Sequence, residues 1–304
     1  MRVYDVTVIG GGPAGLSAAM AASEEGAKVA VVERDSVLGG LPALISNGEF
    51  KYHDGLISGI DFVNKLISEF EEKKVETFMS DHIEKIEIRD GGIFKVYLIN
   101  RSIESKTLIF ATGAKDITRY MLNIPGDRPA GVFTATAALE FVVRRGYLPG
   151  SRVLIVGGTP FAAIVAKNMS KGGAEIVGIV SNKDLNVEYN LIKGRVKTIL
   201  GRGRVNKVIV ENEGKELELH CDTLIFATGR IPNAKYLIKM GADMNPQTKG
   251  PIVSELLETS IEGVFACGDV IAPLDNVQDA IMQGAIAGRN AAIKSRERVI
   301  GGKT

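Results

Sequence analysis

One strand–turn–helix–strand pattern occurs twice in the chain, and no other feature restricts the fold as much. Residues 5–35 read DVTVIGGGPAGLSAAMAASEEGAKVAVVERD: an apolar run, a glycine cluster, an alanine-rich stretch of helical period, then a second apolar run. Residues 152–184, RVLIVGGTPFAAIVAKNMSKGGAEIVGIVSNKD, repeat that order with Gly157 falling 147 positions after Gly10. A second echo pairs LIFATGA at 108–114 with LIFATGR at 224–230, offset by 116. A glycine turn between strand and helix, followed by another strand, opens a doubly wound parallel sheet. The two copies, each later closed by an ATG strand end, predict an α/β protein: two Rossmann-like, doubly wound nucleotide-binding domains in tandem. A solenoid would need several shorter repeats.

At 304 residues, 45% of them apolar, the chain is long enough for two cores. Residues near 115 and 231 each follow an ATG turn and lead toward Pro125 and Pro232, which makes them the natural hinges. The expected first domain is therefore discontinuous, residues 1–115 and 233–304, around a second domain of residues 116–232. Between the copies, Glu84–Asn100 reads as a hairpin turning at Asp90-Gly91-Gly92, Leu56–Lys74 has helical spacing, and Ser295–Thr304 reads as a frayed tail.

Charge and cysteine counts exclude several classes of function. With 37 basic against 36 acidic side chains there is no basic surplus to neutralise phosphates, so neither nucleic acid nor an anionic membrane is an expected partner. The longest uncharged run, Val6–Ser23, is broken by Gly10, Gly11, Gly12, Pro13 and Gly15, which argues against a membrane span or a signal peptide and for a cytoplasmic protein. Cys221 and Cys267 stand 46 positions apart with no histidine spacing of a metal site, so no metal is expected.

Gly10-Gly11-Gly12-Pro13-Ala14-Gly15 satisfies G-x-G-x-x-G, follows a strand, opens a helix, and is followed by Glu33 at the end of the next strand. Gly10 makes the tight turn, Gly12 lets the backbone approach a pyrophosphate, and Gly15 lets the helix pack on the sheet. The helix N-terminus faces the phosphates, and the Glu33 carboxylate accepts from ribose hydroxyls.

With these segments the sequence resembles, over nearly its whole length, the two-dinucleotide-domain flavoproteins of the pyridine nucleotide-disulfide oxidoreductase family, which includes low-molecular-weight thioredoxin reductases. VIGGGPAG with Glu33, Gly39-Gly40, Ala111-Thr112-Gly113 and GVFACGDV at Gly263–Val270 carry the likeness. It implies FAD in the first domain, with Asp269 and Gly268 at the ribityl chain and Gly39-Gly40 near the isoalloxazine. Arg34, Ile83, Asp279 and Ala280 join the implied FAD set, and a helix starting near Val277 would aim its positive end at the flavin C2 carbonyl. The likeness also implies a homodimer.

The second turn departs from the pattern. Gly157-Gly158-Thr159-Pro160-Phe161-Ala162 puts Thr159 where the second glycine belongs, and a β-carbon there crowds a pyrophosphate. Val180 replaces the acid at the second strand's end, and Ser181-Asn182-Lys183 stands where NADPH-using relatives carry His-Arg-Arg, leaving Lys183 as the positive charge for a 2′-phosphate. By resemblance this is the NAD(P)H domain. By its residues it binds NAD(P)H weakly, binds another nucleotide, or binds nothing. The run Lys193–Lys207 carries six basic residues and no acid, and reads as the solvated face of a strand pair or, more sharply, as a docking patch for an acidic electron carrier or partner subunit.

Thioredoxin reductases carry CATC soon after a Gly-Val pair. Here Gly131-Val132 is followed by FTATAALE, with Ala135 and Ala138 at the two cysteine positions, and methyl groups cannot perform thiol–disulfide exchange. Cys221 and Cys267 read as small buried residues. Residues 131–158 resemble instead the FAD/NAD(P)-binding subunits of multi-subunit amine, opine and glycerol-3-phosphate dehydrogenases. Those subunits often have a cysteine and a histidine after the Gly-Gly pair; here LPALISNGEFKYHDG leaves His53 as the nearest titratable group and the catalytic candidate. His82 and His220 have no assignable role.

The expected function is an FAD-dependent oxidoreductase, not a thioredoxin reductase, that passes electrons between flavin and a separate donor or acceptor. It would serve as the electron-transferring component of a metabolite dehydrogenase, fed by NAD(P)H or by a partner dehydrogenase subunit. One alternative is an NAD(P)H-dependent ferredoxin or flavodoxin reductase. The other is a non-catalytic, FAD-bearing structural or regulatory subunit.

Overall fold

The computed structural model describes residues 3–48, 50–52, 55–274 and 276–298. In chain order its strands are β1 (Val3–Ile9), β2 (Val29–Val32), β3 (Phe50–Tyr52), β4 (Gly55–Ile57), β5 (Glu76–Phe78), β6 (Ile83–Ile88), β7 (Phe94–Leu98), β8 (Ser102–Phe110), β9 (Ala114–Asp116) and β10 (Val132–Thr134). They continue with β11 (Arg152–Val156), β12 (Glu175–Ser181), β13 (Leu191–Lys193), β14 (Arg195–Leu200), β15 (Lys207–Asn212), β16 (Lys215–His220), β17 (Thr223–Phe226), β18 (Arg230–Pro232) and β19 (Val264–Ala266). The helices are α1 (Pro13–Glu24), α2 (Gly59–Glu72), α3 (Ala135–Leu139), α4 (Pro160–Lys171), α5 (Lys235–Met240) and α6 (Val277–Glu297). The chain divides into two compact units: Met1–Ala43 with Asp61–Lys115 and Ile231–Thr304, and Leu44–Ile60 with Asp116–Arg230.

Unit 1 is built on a sheet of order β5-β2-β1-β8-β7-β6, with β19 also paired to β8. β1 runs parallel to β2 and β8, so the apolar runs around the first glycine turn are buried on both faces, as parallel strands under helices require. β6 and β7 form the expected antiparallel hairpin. The helical spacing after Leu56 is realised only from Gly59, because Gly55–Ile57 is a short strand. The alanine-rich face of α1 lets α6 approach closely: a Cβ on Gly284 would lie 2.2 Å from the Ala14 carbonyl oxygen, and one on Gly288 2.2 Å from that of Ala18. α6 continues through Ser295 to Glu297, with Ser295 buried, so the helix reaches into the stretch read as a tail; residues 299–304 lie outside the described residues.

Unit 2 carries a parallel sheet of order β10-β17-β11-β12-β13 and an antiparallel sheet β14-β15-β16. Its β11–turn–α4–β12 segment is the second copy of the pattern. The two units confirm an α/β architecture with parallel strands in the main sheet of each, the unit 1 sheet ending in the antiparallel β7 and β6.

Candidate functional site

In unit 1 the first turn has the geometry of an anion cradle. Gly10 sits at φ 108, a conformation that L side chains rarely adopt, and a Cβ on Gly15 would lie 1.8 Å from the Gly10 carbonyl oxygen. A Cβ on Gly12 would meet only Gly40 Cα, at 3.9 Å, so the space in front of this residue is open. Gly12 is the N-cap of α1, which has no side-chain cap and no acid in its first turn. The 12-residue helix therefore presents its uncapped N–H groups and positive end, the arrangement that binds a pyrophosphate.

The carboxylate of Glu33 lies beside this turn. Its Oε2 accepts the Gly11 N–H at 2.6 Å and its Oε1 accepts the Asp35 N–H at 2.7 Å. Arg34 is exposed and pairs with Asp35 at 3.3 Å. Ala111 donates its N–H to the Ile9 carbonyl at 2.9 Å, Thr112 Oγ1 donates to the Asn233 carbonyl at 2.9 Å, and Gly113 has open space around it. A Cβ on Gly268 would lie 2.8 Å from Ala14 Cβ and 3.8 Å from Ala280 Cβ, which places the GD segment and the start of α6 against the first turn of α1. Gly39 is packed on Val63, and a Cβ on Gly40 would lie 3.2 Å from Gly12 Cα. These residues, scattered through the sequence, are thus brought together around one turn.

Other expected FAD residues are engaged differently. Asp269 Oδ1 accepts the Leu274 N–H at 3.1 Å. Asp279 belongs to the α6 cap: its N–H donates to Asn276 Oδ1 at 2.9 Å and its carboxylate accepts from Asn276 Nδ2 at 2.7 Å. Ile83 is buried, and its carbonyl accepts from the Tyr236 hydroxyl. Two residues went unread in the sequence. Gln283 Oε1 accepts the Gly268 N–H at 2.8 Å and so fixes the GD turn from within α6. Asn47 of unit 2 is buried, and among the described residues neither its Oδ1 nor its Nδ2 has a hydrogen-bond partner. Nothing in the local sequence around Asn47 distinguishes it from an ordinary turn residue. His53, the catalytic candidate, lies outside the described residues.

Unit 2 repeats two backbone hydrogen bonds of the first turn, although Gly157 lacks the positive φ of Gly10. Gly10 N donates to Val32 O at 2.9 Å, and Gly157 N donates to Val180 O at 3.0 Å. Ala111 N donates to Ile9 O at 2.9 Å, and Ala227 N donates to Val156 O at 2.7 Å. Val180 therefore corresponds to Val32, and Ser181, not Val180, holds the place of Glu33. The one-residue correction comes from a register shift between Val153 and Leu154, where β12 carries an extra residue against β11. The Ser181 hydroxyl accepts the Lys183 N–H at 2.9 Å and donates to the Lys183 carbonyl at 3.1 Å. A Cβ on Gly158 would lie 3.3 Å from Ser181 Oγ and 3.4 Å from Lys183 Cδ, so the lysine stem lies along the turn. Thr159 is the N-cap of α4 without a side-chain cap bond.

The basic run is not an unbalanced patch. Arg195 pairs with Glu211 at 2.9 Å, Lys197 with Glu216 at 2.6 Å, Lys207 with Glu218 at 3.1 Å, and Lys193 with Asp184. The acids come from β15, β16 and the β12–β13 loop, so this surface is a lattice of exposed pairs, each worth little by itself.

Ala135 and Ala138 are both fully buried, and the two thiols are buried too. Burial pushes the Cys221 thiol up to about 11, helped by Asp222, and the Cys267 thiol up to about 12. At neutral pH both are protonated, whereas exchange requires a thiolate. Among the described residues no group of three or more His, Cys, Asp or Glu is placed to hold a metal, and no helix is long and apolar enough to cross a membrane.

Two glycine-turn copies on parallel strands, one with an open cradle at a helix N-terminus, are the pattern of a nucleotide-binding protein. Residues 4–284 match the model of the pyridine nucleotide-disulphide oxidoreductase family, and the chain belongs to that family. Its curated relatives include a mercuric reductase of Staphylococcus aureus, 27% identical over 97% of this chain but 61% of the relative, so the chain spans about three-fifths of that protein. They also include a ferredoxin–NADP reductase of Streptococcus equi subsp. zooepidemicus, 28% identical over 89% of this chain and 86% of the relative. In fold it is similar to the thioredoxin reductase of T. acidophilum (TM-score 0.80, 23% identity, 97% of this chain and 100% of the other). It is likewise similar to L-proline dehydrogenase from P. horikoshii (TM-score 0.77, 23% identity, 97% and 58%). The chain is an oxidoreductase, and its family binds FAD and uses NAD(P)H.

Proposed function

We propose that this protein is an FAD-dependent oxidoreductase that moves electrons between flavin and a separate donor or acceptor without a protein dithiol, as the electron-transferring component of a metabolite dehydrogenase. The observation that carries this reading is the pair of fully buried methyl side chains, Ala135 and Ala138, where related reductases have their redox cysteines, in a chain whose only thiols are buried.

The residues of unit 1 fit FAD. The uncapped α1 N-terminus and the open face of Gly12 would take the pyrophosphate, and Glu33 has lone pairs left for ribose hydroxyls after holding the Gly11 and Asp35 amides. Gly40 brings the Gly39-Gly40 loop onto the turn, and Gln283 and the Asn276–Asp279 cap fix the GD segment and the start of α6 beside it. Asp269 would face the ribityl chain. When bound, FAD supplies the two-electron chemistry; the chain's part is to bind it, orient it and exclude water.

The protein is expected to act as a homodimer or with a dehydrogenase partner. A second reading, an NAD(P)H-dependent ferredoxin or flavodoxin reductase, is favoured by the relatives of that name. Anaerobic titration of the purified holoprotein with NADPH and NADH, followed by flavin absorbance, separates the two. Bleaching by either coenzyme at micromolar levels would sink the partner-fed reading. Bleaching that requires a co-purified subunit and its metabolite would support it.

A further inference from the structure

We propose that the glycine turn of unit 2 is a closed copy of the turn in unit 1, and that Thr159, Ser181 and Lys183 deny NAD(P)H the pose that Gly12 and Glu33 offer a dinucleotide. The proposal rests on reading unit 1 as the FAD cradle. Two matching backbone hydrogen bonds, from Gly10 and Gly157 and from Ala111 and Ala227, put Thr159 and Ser181 at the places of Gly12 and Glu33, and the backbone differs as well, since Gly10 has a positive φ and Gly157 does not, and φ is -78 at Gly12 and -132 at Thr159.

Three differences of side chain act together. Where unit 1 has open space in front of Gly12, unit 2 has the half-buried side chain of Thr159 at the α4 N-cap. A pyrophosphate needs the backbone there at contact distance, and a β-branched side chain holds it off. Where Glu33 keeps lone pairs for a ribose diol, Ser181 spends its hydroxyl as both donor and acceptor on Lys183. That local ring also fixes Lys183 so that its stem runs along Gly158, on the side of the turn where Glu33 and Leu38 flank Gly11. The coenzyme therefore meets no carboxylate for its ribose and no open backbone for its phosphates.

The test uses FAD-loaded protein and measures binding rather than turnover. Isothermal titration with NADPH and NADH is expected to show no saturable binding to the wild type up to about 1 mM, a level at which a binding energy of only about 4 kcal/mol would register. Thr159→Gly is expected to bring at least one coenzyme into range with a gain of about tenfold or more, and Lys183→Ala a smaller gain for NADH. The reciprocal substitution, Gly12→Thr, is expected to abolish FAD retention in a protein that keeps its far-UV circular dichroism. Wild-type dissociation constants below about 0.1 mM for either coenzyme would overturn the proposal, as would Thr159→Gly that folds and gains nothing, or Gly12→Thr that keeps full FAD. The FAD stoichiometry of the wild type, read from absorbance on the same samples, tests the cradle reading separately: a flavin-free wild type defeats that reading and leaves the unit 2 titration as its own result.

Discussion

The Glu33 carboxylate grips the turn it serves: Oε2 accepts the Gly11 amide at 2.6 Å from the end of the neighbouring strand. The same side chain thus holds the loop in shape and stands ready for a ribose. Glu33→Ala should therefore lower the stability of the flavin-free protein by about 2 kcal/mol, from two lost charge-assisted hydrogen bonds, and should weaken FAD retention besides. Glu33→Gln should recover part of the first loss and little of the second. Denaturant unfolding of apoprotein, paired with flavin content after gel filtration, separates the two effects.

Close contact of α1 with α6 depends on residues without side chains. Gly284→Ala places a methyl 2.2 Å from the Ala14 carbonyl oxygen, and Gly288→Ala does the same at Ala18. Either change should cost about 1–3 kcal/mol by forcing the helices apart. The midpoint of urea unfolding should fall, and a midpoint equal to wild type would show that the crossing is looser than the geometry requires.

The thiols should be inert in the folded state. Burial raises both, Cys221 to about 11 and Cys267 to about 12, so at pH 8 neither supplies thiolate. Ellman's reagent should titrate no thiol in native protein and two after denaturation. Replacing both with alanine should leave flavin reduction and reoxidation rates unchanged, the opposite of what a dithiol enzyme would show.

Acid should weaken unit 2 through Asp222. Burial pushes this carboxyl up, but the amides of Ser151 and Arg152, the Thr223 hydroxyl and the Arg204 charge outweigh it and hold it below its usual 3.8. A depressed carboxyl stabilises fully above its unfolded value and loses that contribution as pH falls through the folded one. Asp222→Asn should therefore cost about 1–2 kcal/mol at pH 7. The gap between variant and wild type should narrow below about pH 4, where the unfolded carboxyl begins to take up its proton. A gap constant from pH 7 to pH 3 would refute this account.

Asn47 offers a test of what an unpartnered buried carboxamide costs unit 2. With both polar atoms buried and unpartnered, Asn47→Leu should stabilise apoprotein by about 1–3 kcal/mol. Urea unfolding should show a raised midpoint, and a midpoint equal to wild type would show that the carboxamide finds partners.

Much of this protein is written locally. Gly10–Gly15 with Glu33 announces a strand, a turn, a helix and a dinucleotide in one short window, because each glycine answers to a backbone conformation or contact a few residues away. The duplication, and the alanines at 135 and 138, are equally visible without coordinates. Other features depend on which residues of distant segments come to face one another. A single extra residue in β12 moves Ser181, rather than Val180, into the place of Glu33, and strand periodicity alone does not reveal a bulge. The basic run from Lys193 to Lys207 looks unbalanced until the cross-strand register supplies Glu211, Glu216 and Glu218. Leu44–Ile60 lies in sequence inside the first domain yet clusters with unit 2, where Ser46 hydrogen-bonds Asn168 of α4. Local residue patterns carry the elements and their order, because propensity, glycine turns and apolar period act over a few residues. Only the tertiary structure decided which side chains meet, since register and long-range pairing are settled by packing across the sheet rather than by any local preference.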